Sequence, residues 1–340
     1  MAAPAGFDIY LFLQRVIVGN GLPEWVLSAV VALLKAAVIL GFTLFNALFL
    51  IWLERKVSGR IQNRVGPMRV GPHGLLQTLA DVVKLISKED IVPARADRWI
   101  FVLAPIVAFV PALMVYVVLP FSEHMVARDL PIAVIYISAL TSITAVAFLM
   151  AGWSSNNKWS LLGAMRSAAQ LISYEVPLVL AVVAVVMMAG SLSLQEIVRA
   201  QTERGWFILT QPIGFLVFLV AQLAELNRGP FDLSEAESEL VAGYNTEYSG
   251  FRWSVFFLAE YTALVSAGAV ATTLYFGGWS GPYLPPLVWF LLKTYLFVFV
   301  AMWIRWTLPR IRVDHLMELG WKGLIPIALL NIGVTGLFLL

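Results

Sequence analysis

Trp25–Trp52, WVLSAVVALLKAAVILGFTLFNALFLIW, runs almost without interruption through apolar residues and holds a single ionisable side chain, Lys35. About 20 such residues, rising about 1.5 Å each as a helix, cross a bilayer's hydrocarbon core, so this stretch predicts a transmembrane helix. Seven more stretches read the same way: Trp99–Pro120, Pro131–Trp153, Ser167–Met188, Trp206–Glu225, Trp253–Phe276, Pro285–Ile304 and Gly323–Leu340. Tryptophans at or near the span ends fit an interfacial aromatic belt. The predicted fold is therefore all-α, a single polytopic membrane domain over residues 1–340 with about eight transmembrane helices. Composition agrees, with 60% hydrophobic residues, 13% charged residues and a mean hydropathy of +0.83. These values lie outside the range of soluble globular domains.

The loops between these spans set the expected orientation. Seventeen basic residues fall in the odd-numbered loops and three, Arg128, Arg199 and Arg204, in the even-numbered ones. By the positive-inside rule the odd loops face the cytoplasm and both termini lie on the opposite side. No basic cluster precedes an apolar run before Val16, so the mature chain is expected to start at or near Met1.

Two cytoplasmic loops carry patterning of their own. In the first, Val65-Gly66-Pro67 and Val70-Gly71-Pro72 repeat a turn triplet, and then Leu75, Leu76, Leu79, Val82, Val83 and Ile86 recur at helical spacing opposite Gln77, Asp81, Lys84 and Lys88. The segment over about 74–88 is too short to span and reads as an amphipathic helix lying in the interface, where periodicity alone favours a role in sealing the bundle. The second loop, 226–252, is acidic: with Glu225 before it, it sets Asp232, Glu235, Glu237, Glu239 and Glu247 against only Arg228 and Arg252. Gly229-Pro230 marks a turn, Ser234 with Glu237 matches a capping box, and Gly243 is placed to close a helix of about two turns. Glu235 and Glu239, four apart, disfavour that helix unless neutralised.

Five ionisable residues fall within or at the end of spans, where an unpaired charge costs at least a few kcal/mol: Lys35, Glu175, Glu225, Glu260 and Lys293. Glu175 lies in Tyr174-Glu175-Val176-Pro177, where the proline is expected to open or kink the helix. Position leaves a functional carboxylate and one complementing a helix N-terminus equally open. Lys35 with Glu260 or another carboxylate makes a structurally sufficient ion pair, and Gln222, Tyr261 and Asn331 suit hydrogen bonds between helices.

Three stretches together resemble one family: ERKVSGRIQNRVGPMRVGPHGLLQTLADVVKLISKED from Glu54, AELNRGPFDLSEAESELVAGYNTEYSG from Ala224 and RWTLPRIRVDHLMELGWK from Arg305. The family is the membrane-embedded H subunit of proton-translocating NADH:quinone oxidoreductase, respiratory complex I, whose mitochondrial counterpart is NADH dehydrogenase subunit 1. The resemblance runs from Glu54 to Lys322, and Ser234, where that family commonly has proline, departs from it. It implies a subunit that forms the membrane-side wall and entrance of a quinone chamber, docks a hydrophilic arm and couples quinone reduction to proton translocation. It implies a proton relay through Glu175, Glu225, Asp232, Glu235, Glu237 and Glu239. At the chamber or its entrance it implies Glu54, Arg55, Arg60, Asp81, Phe231 and Glu247, and at the docking surface Arg64 and Arg69. The implied substrate is a quinone of the ubiquinone type. NADH, FMN and iron–sulfur clusters are expected in partner subunits, with none bound by this chain alone. The implied partners are hydrophilic quinone-reducing and iron–sulfur subunits, neighbouring proton-translocating membrane subunits and lipid.

Composition and motifs narrow the alternatives. Zero cysteines exclude disulfides, thiolate metal sites and iron–sulfur ligation within the chain. A net charge of +2, without a basic run interleaved with aromatics, gives no nucleic-acid signal. No Walker, dinucleotide, HExxH, GxSxG or CxxC pattern appears. Two rivals remain: the homologous subunit of a hydrogenase-type complex, and a proton-coupled secondary transporter, for which the two halves show no repeat.

Overall fold

The computed structural model describes residues 23–233 and 240–339. Ser234, Glu235, Glu237 and Glu239, and with them the capping box, lie outside the described residues. The described chain consists of helices joined by turns and loops, with no strand among the described residues. In order the helices are α1 (Glu24–Ile61), α2 (Gln77–Ser87), α3 (Arg98–Met114), α4 (Ala133–Ser154), α5 (Lys158–Ala189) and α6 (Leu194–Arg204). There follow α7 (Phe207–Thr210), α8 (Pro212–Glu225), α9 (Gly250–Tyr275), α10 (Pro286–Thr307), α11 (Val313–Glu318) and α12 (Ile325–Leu339). A π-helical turn, Leu319–Leu324, joins the last two into one run. Among the described residues seven helical runs are long and apolar enough to cross a membrane, and α8 is a shorter apolar helix. The protein is a multi-pass membrane protein.

Several boundaries differ from those expected of the sequence, each for a local reason. The stretch Trp206–Glu225 is two helices, because Pro212 pushes the preceding residue out of helical conformation and Gln211 sits at φ −127°, ψ 50°. Helix α5 starts well before Ser167: Asn157 caps it by accepting from the Trp159 N–H at 2.9 Å, and Gly190 ends it in the left-handed conformation. Helix α5 continues through Pro177, so Glu175 lies in its middle and complements no helix N-terminus. Gly243 does adopt a positive φ of 57°, but it opens a 3-10 turn, Gly243–Asn245.

The chain forms two units, Met1–Phe45 and Asn46–Leu340. In the larger, α4 packs between α3 and α5, α5 also meets α8 and α12, and α9 packs on α3 and α10. Small residues allow the close approach that apolar helices need in lipid. Gly152 on α4 rests directly on Ser160 and Ala164 of α5, with no room for a Cβ. Ala104, Ala108, Ala147, Ala151, Ala164 and Ala259 form a buried seam with Phe101, Tyr248 and Phe256. The Tyr248 and Phe101 rings stack at 4.0 Å, and the Tyr248 hydroxyl donates to the Phe101 carbonyl at 3.1 Å, which anchors the acidic loop's end to α3.

Candidate functional site

The loop after α8 turns back into the protein instead of leaving it. Asn227 takes φ 49°, the Arg228 N–H donates to the Leu223 carbonyl at 3.2 Å, and Phe231 N–H donates to the Arg228 carbonyl at 2.9 Å. Gln170 on α5 staples both ends of this turn, donating to the carbonyls of Ala224 at 2.7 Å and Phe231 at 2.9 Å. Gly229 lies against the Arg305 backbone and side chain, so a larger residue would press on α10. Arg228 is thereby carried inward until it is 0% exposed.

A buried arginine needs carboxylates, and two helices supply them. Glu54, near the end of α1, accepts from Arg228 at 2.8 Å, from Arg305 of α10 at 2.8 Å and from the Tyr261 hydroxyl of α9 at 2.7 Å. Glu260, beside Tyr261, stands 2.9 Å from the second Arg228 nitrogen, outside hydrogen-bond geometry, so that contact is coulombic. Arg305 is also 3.7 Å from Glu260, and the Arg228 guanidinium lies 4.7 Å from the centre of the Tyr261 ring. Two guanidiniums thus balance two carboxylates. Burial works against the Arg228 charge, but Glu54 and Glu260 outweigh it and hold the group well above the ordinary arginine range. At the rim, Arg310 pairs with Asp232 at 3.3 Å. Burial pushes the Asp232 carboxyl up from its usual value, although Arg305 and Arg310 pull it down.

A second set of carboxyls adjoins this cluster through a cavity of about 110 Å³, room for several waters. Glu225 and Glu260 both line it, with Gln222, Ser138 and Thr141. Gln222 donates to Glu225 at 3.2 Å, and Thr141, whose hydroxyl donates to the Ser138 carbonyl at 3.0 Å, lines the same cavity as Glu225. The next residue of α4, Ser142, donates to Glu175 of α5. Adjacent residues of α4 therefore reach toward the two carboxyls, Ser142 by donating to Glu175 and Thr141 by lining the cavity with Glu225. The Ser142–Glu175 pair, the cavity lined by Thr141, Glu225 and Glu260, and the Arg228–Glu54 pair place titratable and hydrogen-bonding groups from several helices in the interior.

The other residues singled out from the sequence lie in separate places. Arg55 pairs with Asp81 at 2.6 Å, tying α1 to α2, and Lys84 stands 3.7 Å from the same carboxylate. The apolar face of α2 is exposed, Leu79 by 50% and Val83 by 62%. Phe231 is buried beside Tyr174, ring centres 5.6 Å apart. Glu247 accepts from Asn157 at 2.6 Å, at the start of α5. Arg60, Arg64 and Arg69 are exposed, Arg64 donating to Gln62 at 2.7 Å. The sequence does not single out Arg228, Tyr261, Arg305, Thr141 or Ser142 for this site, and gives Glu260 only secondary weight. Arg228 lies 174 residues from Glu54, and Arg305 251 residues, so spacing carries no trace of the cluster. The available signal is one of only two arginines in an acidic, apolar-flanked loop.

Residues 34–336 match the family model described as NADH dehydrogenase. The chain is 53% identical over 320 residues to the NADH-quinone oxidoreductase H subunit from Brevibacillus brevis, covering 93% of each chain. It is 51% identical over 303 residues to the protein of that name from Dehalococcoides mccartyi, 89% of this chain and 85% of the relative. It is 53% identical over 311 residues to the one from Bacillus cytotoxicus, 90% and 92% of the respective lengths.

Proposed function

The chain belongs to the NADH dehydrogenase family, and on that premise we propose that this membrane subunit of NADH:quinone oxidoreductase walls a quinone chamber and passes the charge of quinone reduction to intramembrane carboxyls. The observation that carries the proposal is the cavity joining Glu260, inside the balanced cluster of Glu54, Arg228 and Arg305, to Glu225 and its neighbour Glu175.

Two-electron reduction of a quinone at the chamber adds negative charge that two protons neutralise. Asp232 lies in the acidic loop and pairs with Arg310, Glu54 pairs with that loop's Arg228, and these pairings shift as that charge appears. Glu260 shares its guanidiniums with Glu54, so a change at Glu54 alters the field on Glu260 and, across the cavity, on Glu225. In this relay Glu225 and Glu175 are the two intramembrane carboxyls between which the change of charge is passed. Ser142, which donates to Glu175, and Thr141, beside it in the lining of the cavity, supply hydroxyls for the step between the two carboxyls. Protons then leave toward neighbouring membrane subunits. Glu235, Glu237 and Glu239, which lie outside the described residues, belong to the same relay by resemblance, Glu247 with Phe231 borders the chamber, and α2 with Arg55, Arg60 and Asp81 frames the entrance from lipid. Arg64 and Arg69, exposed on the basic loop, suit a docked hydrophilic arm. The odd-numbered loops face the cytoplasm of a bacterial inner membrane, and both termini the periplasm.

Glu54→Gln in the whole complex tests the chamber assignment. NADH oxidation by a soluble artificial acceptor is expected to stay at the wild-type rate while quinone reduction falls. Equal loss of both activities would show that Glu54 acts on assembly, and unchanged quinone reduction would place the chamber elsewhere.

A further inference from the structure

Lys293 is a buried cation with no place among the groups above. Its α10 position leaves it 6% exposed, and its Nζ donates to three carbonyls of one loop: Phe276 at 2.7 Å, Gly278 at 3.0 Å and Ser280 at 2.7 Å. Three donors meet three acceptors, which uses the ammonium's full hydrogen-bonding capacity. Trp206 and Trp289 flank it, ring centres 4.7 and 5.7 Å from Nζ, and the Trp289 indole donates to the Pro282 carbonyl at 2.7 Å. Gln201 of α6 holds the same loop from the other side: it donates to the Thr273 carbonyl at 2.7 Å and accepts from the N–H groups of Gly277 at 2.9 Å and Phe207 at 3.2 Å. Gly277 and Gly278, both at positive φ, allow the loop to press onto Trp206 and Val198, where a Cβ would collide.

This loop follows α9 directly, and the cavity reaches that end of α9. Its lining runs from Glu260 to Leu274, about 21 Å apart at the helical rise. Near Leu274 the wall is apolar, with Leu194 and Val182. We propose that Lys293, with Gln201, locks the loop 276–285 over the end of the cavity remote from the Arg228 cluster, so that the carboxyl-lined space is closed to that side of the membrane. The proposal rests on reading the cavity as a proton path: a path used from one side holds a gradient only if its far end is shut. A lysine suits this task because its compact, flexible head gathers three carbonyls that point to one spot, and loss of that head leaves three buried acceptors without a donor.

The chain has no cysteine, so Leu274→Cys gives a specific reporter in the whole complex reconstituted in sealed vesicles. A membrane-impermeant maleimide added on the loop side, followed by mass analysis of this subunit, is expected to leave Leu274→Cys unmodified. The same reporter combined with Lys293→Gln is expected to react, and an imposed pH gradient to decay several-fold faster without substrate. Lys293→Arg, which keeps the charge and the donors, is expected to restore the closed state at least in part. Labelling of Leu274→Cys with Lys293 intact would overturn the proposal, as would a Lys293→Gln complex that stays unlabelled and holds its gradient. If Lys293→Gln fails to assemble, labelling with Lys293 intact still decides. The labelling reads closure alone and does not depend on proton transfer by Glu225, so failure of the seal and failure of the relay give different results.

Discussion

Arg228→Met removes a fully buried guanidinium and nearly keeps its volume. Two carboxylates, Glu54 and Glu260, then face one guanidinium, Arg305. Breaking a buried ion pair by removing one partner costs about 3–5 kcal/mol, because it leaves an uncompensated charge. Arg305 remains 2.8 Å from Glu54, and the Glu260 side chain is 24% exposed. Both facts place the expected loss at the lower end, ~3 kcal/mol. If that interaction is lost before the unfolding barrier, the half-life of quinone reductase activity on heating shortens by up to roughly a hundredfold. Adding Glu260→Gln restores the balance of charge, so the double variant is expected to outlast Arg228→Met alone, with a coupling of about 0.5–3 kcal/mol. The assay compares heat-inactivation half-lives of wild type, both single variants and the double variant, with native electrophoresis to confirm intact complexes at the start. Strict additivity, or a double variant weaker than Arg228→Met, would refute the argument that net charge in this cluster sets its stability.

Leu79→Asp with Val83→Asp places charges on the exposed apolar face of α2 and is expected to raise KM for a long-tailed quinone more than for a short-tailed one in assembled complexes; equal KM values for both would leave α2 a sealing role only. Asp81→Asn removes the 2.6 Å pair with Arg55 and is expected to raise the same KM with little change in thermal stability, since the pair is partly exposed and worth about 1 kcal/mol or less. Single cysteines at Lys158 and at Tyr283, both exposed, test the orientation: an impermeant reagent on the periplasmic side is expected to modify the second and spare the first, and the reverse would invert the topology.

The all-α, multi-pass class was legible because membrane crossing is written in local composition: each apolar run carries its own signal, independent of partners. Breaks within such runs were less visible. Pro212 and Gln211 interrupt the run ahead of α8 at two residues in a stretch whose hydropathy hardly changes, and Asn157 starts α5 upstream in a segment too polar to be counted as span. At the site, Glu225 and Glu175 stood out because carboxylates are rare among apolar neighbours. Their shared neighbours, Thr141 and Ser142, did not, since hydroxyls are common in membrane helices and usually bond to their own backbone. The Arg228 cluster was hidden for a different reason. Its members come from α1, the loop after α8, α9 and α10, and the fold, not the order of residues, brings them together. Asp232 and Glu54 stand out by resemblance, while the arginines that define their surroundings read in the sequence only as markers of topology.

The central claim, that Glu225 carries the response to quinone reduction toward proton movement, is tested most directly by Glu225→Gln in the complex reconstituted into sealed vesicles. Glutamine keeps the shape and the contact with Gln222 but cannot titrate. The measurement is protons translocated per NADH oxidised, taken with the quinone reductase rate in the same preparation. The account predicts an assembled complex in which translocation falls, and in which Glu175→Gln added to Glu225→Gln costs less than the two single losses together. An assembled Glu225→Gln complex that translocates protons at the wild-type ratio and rate across neutral pH would contradict it.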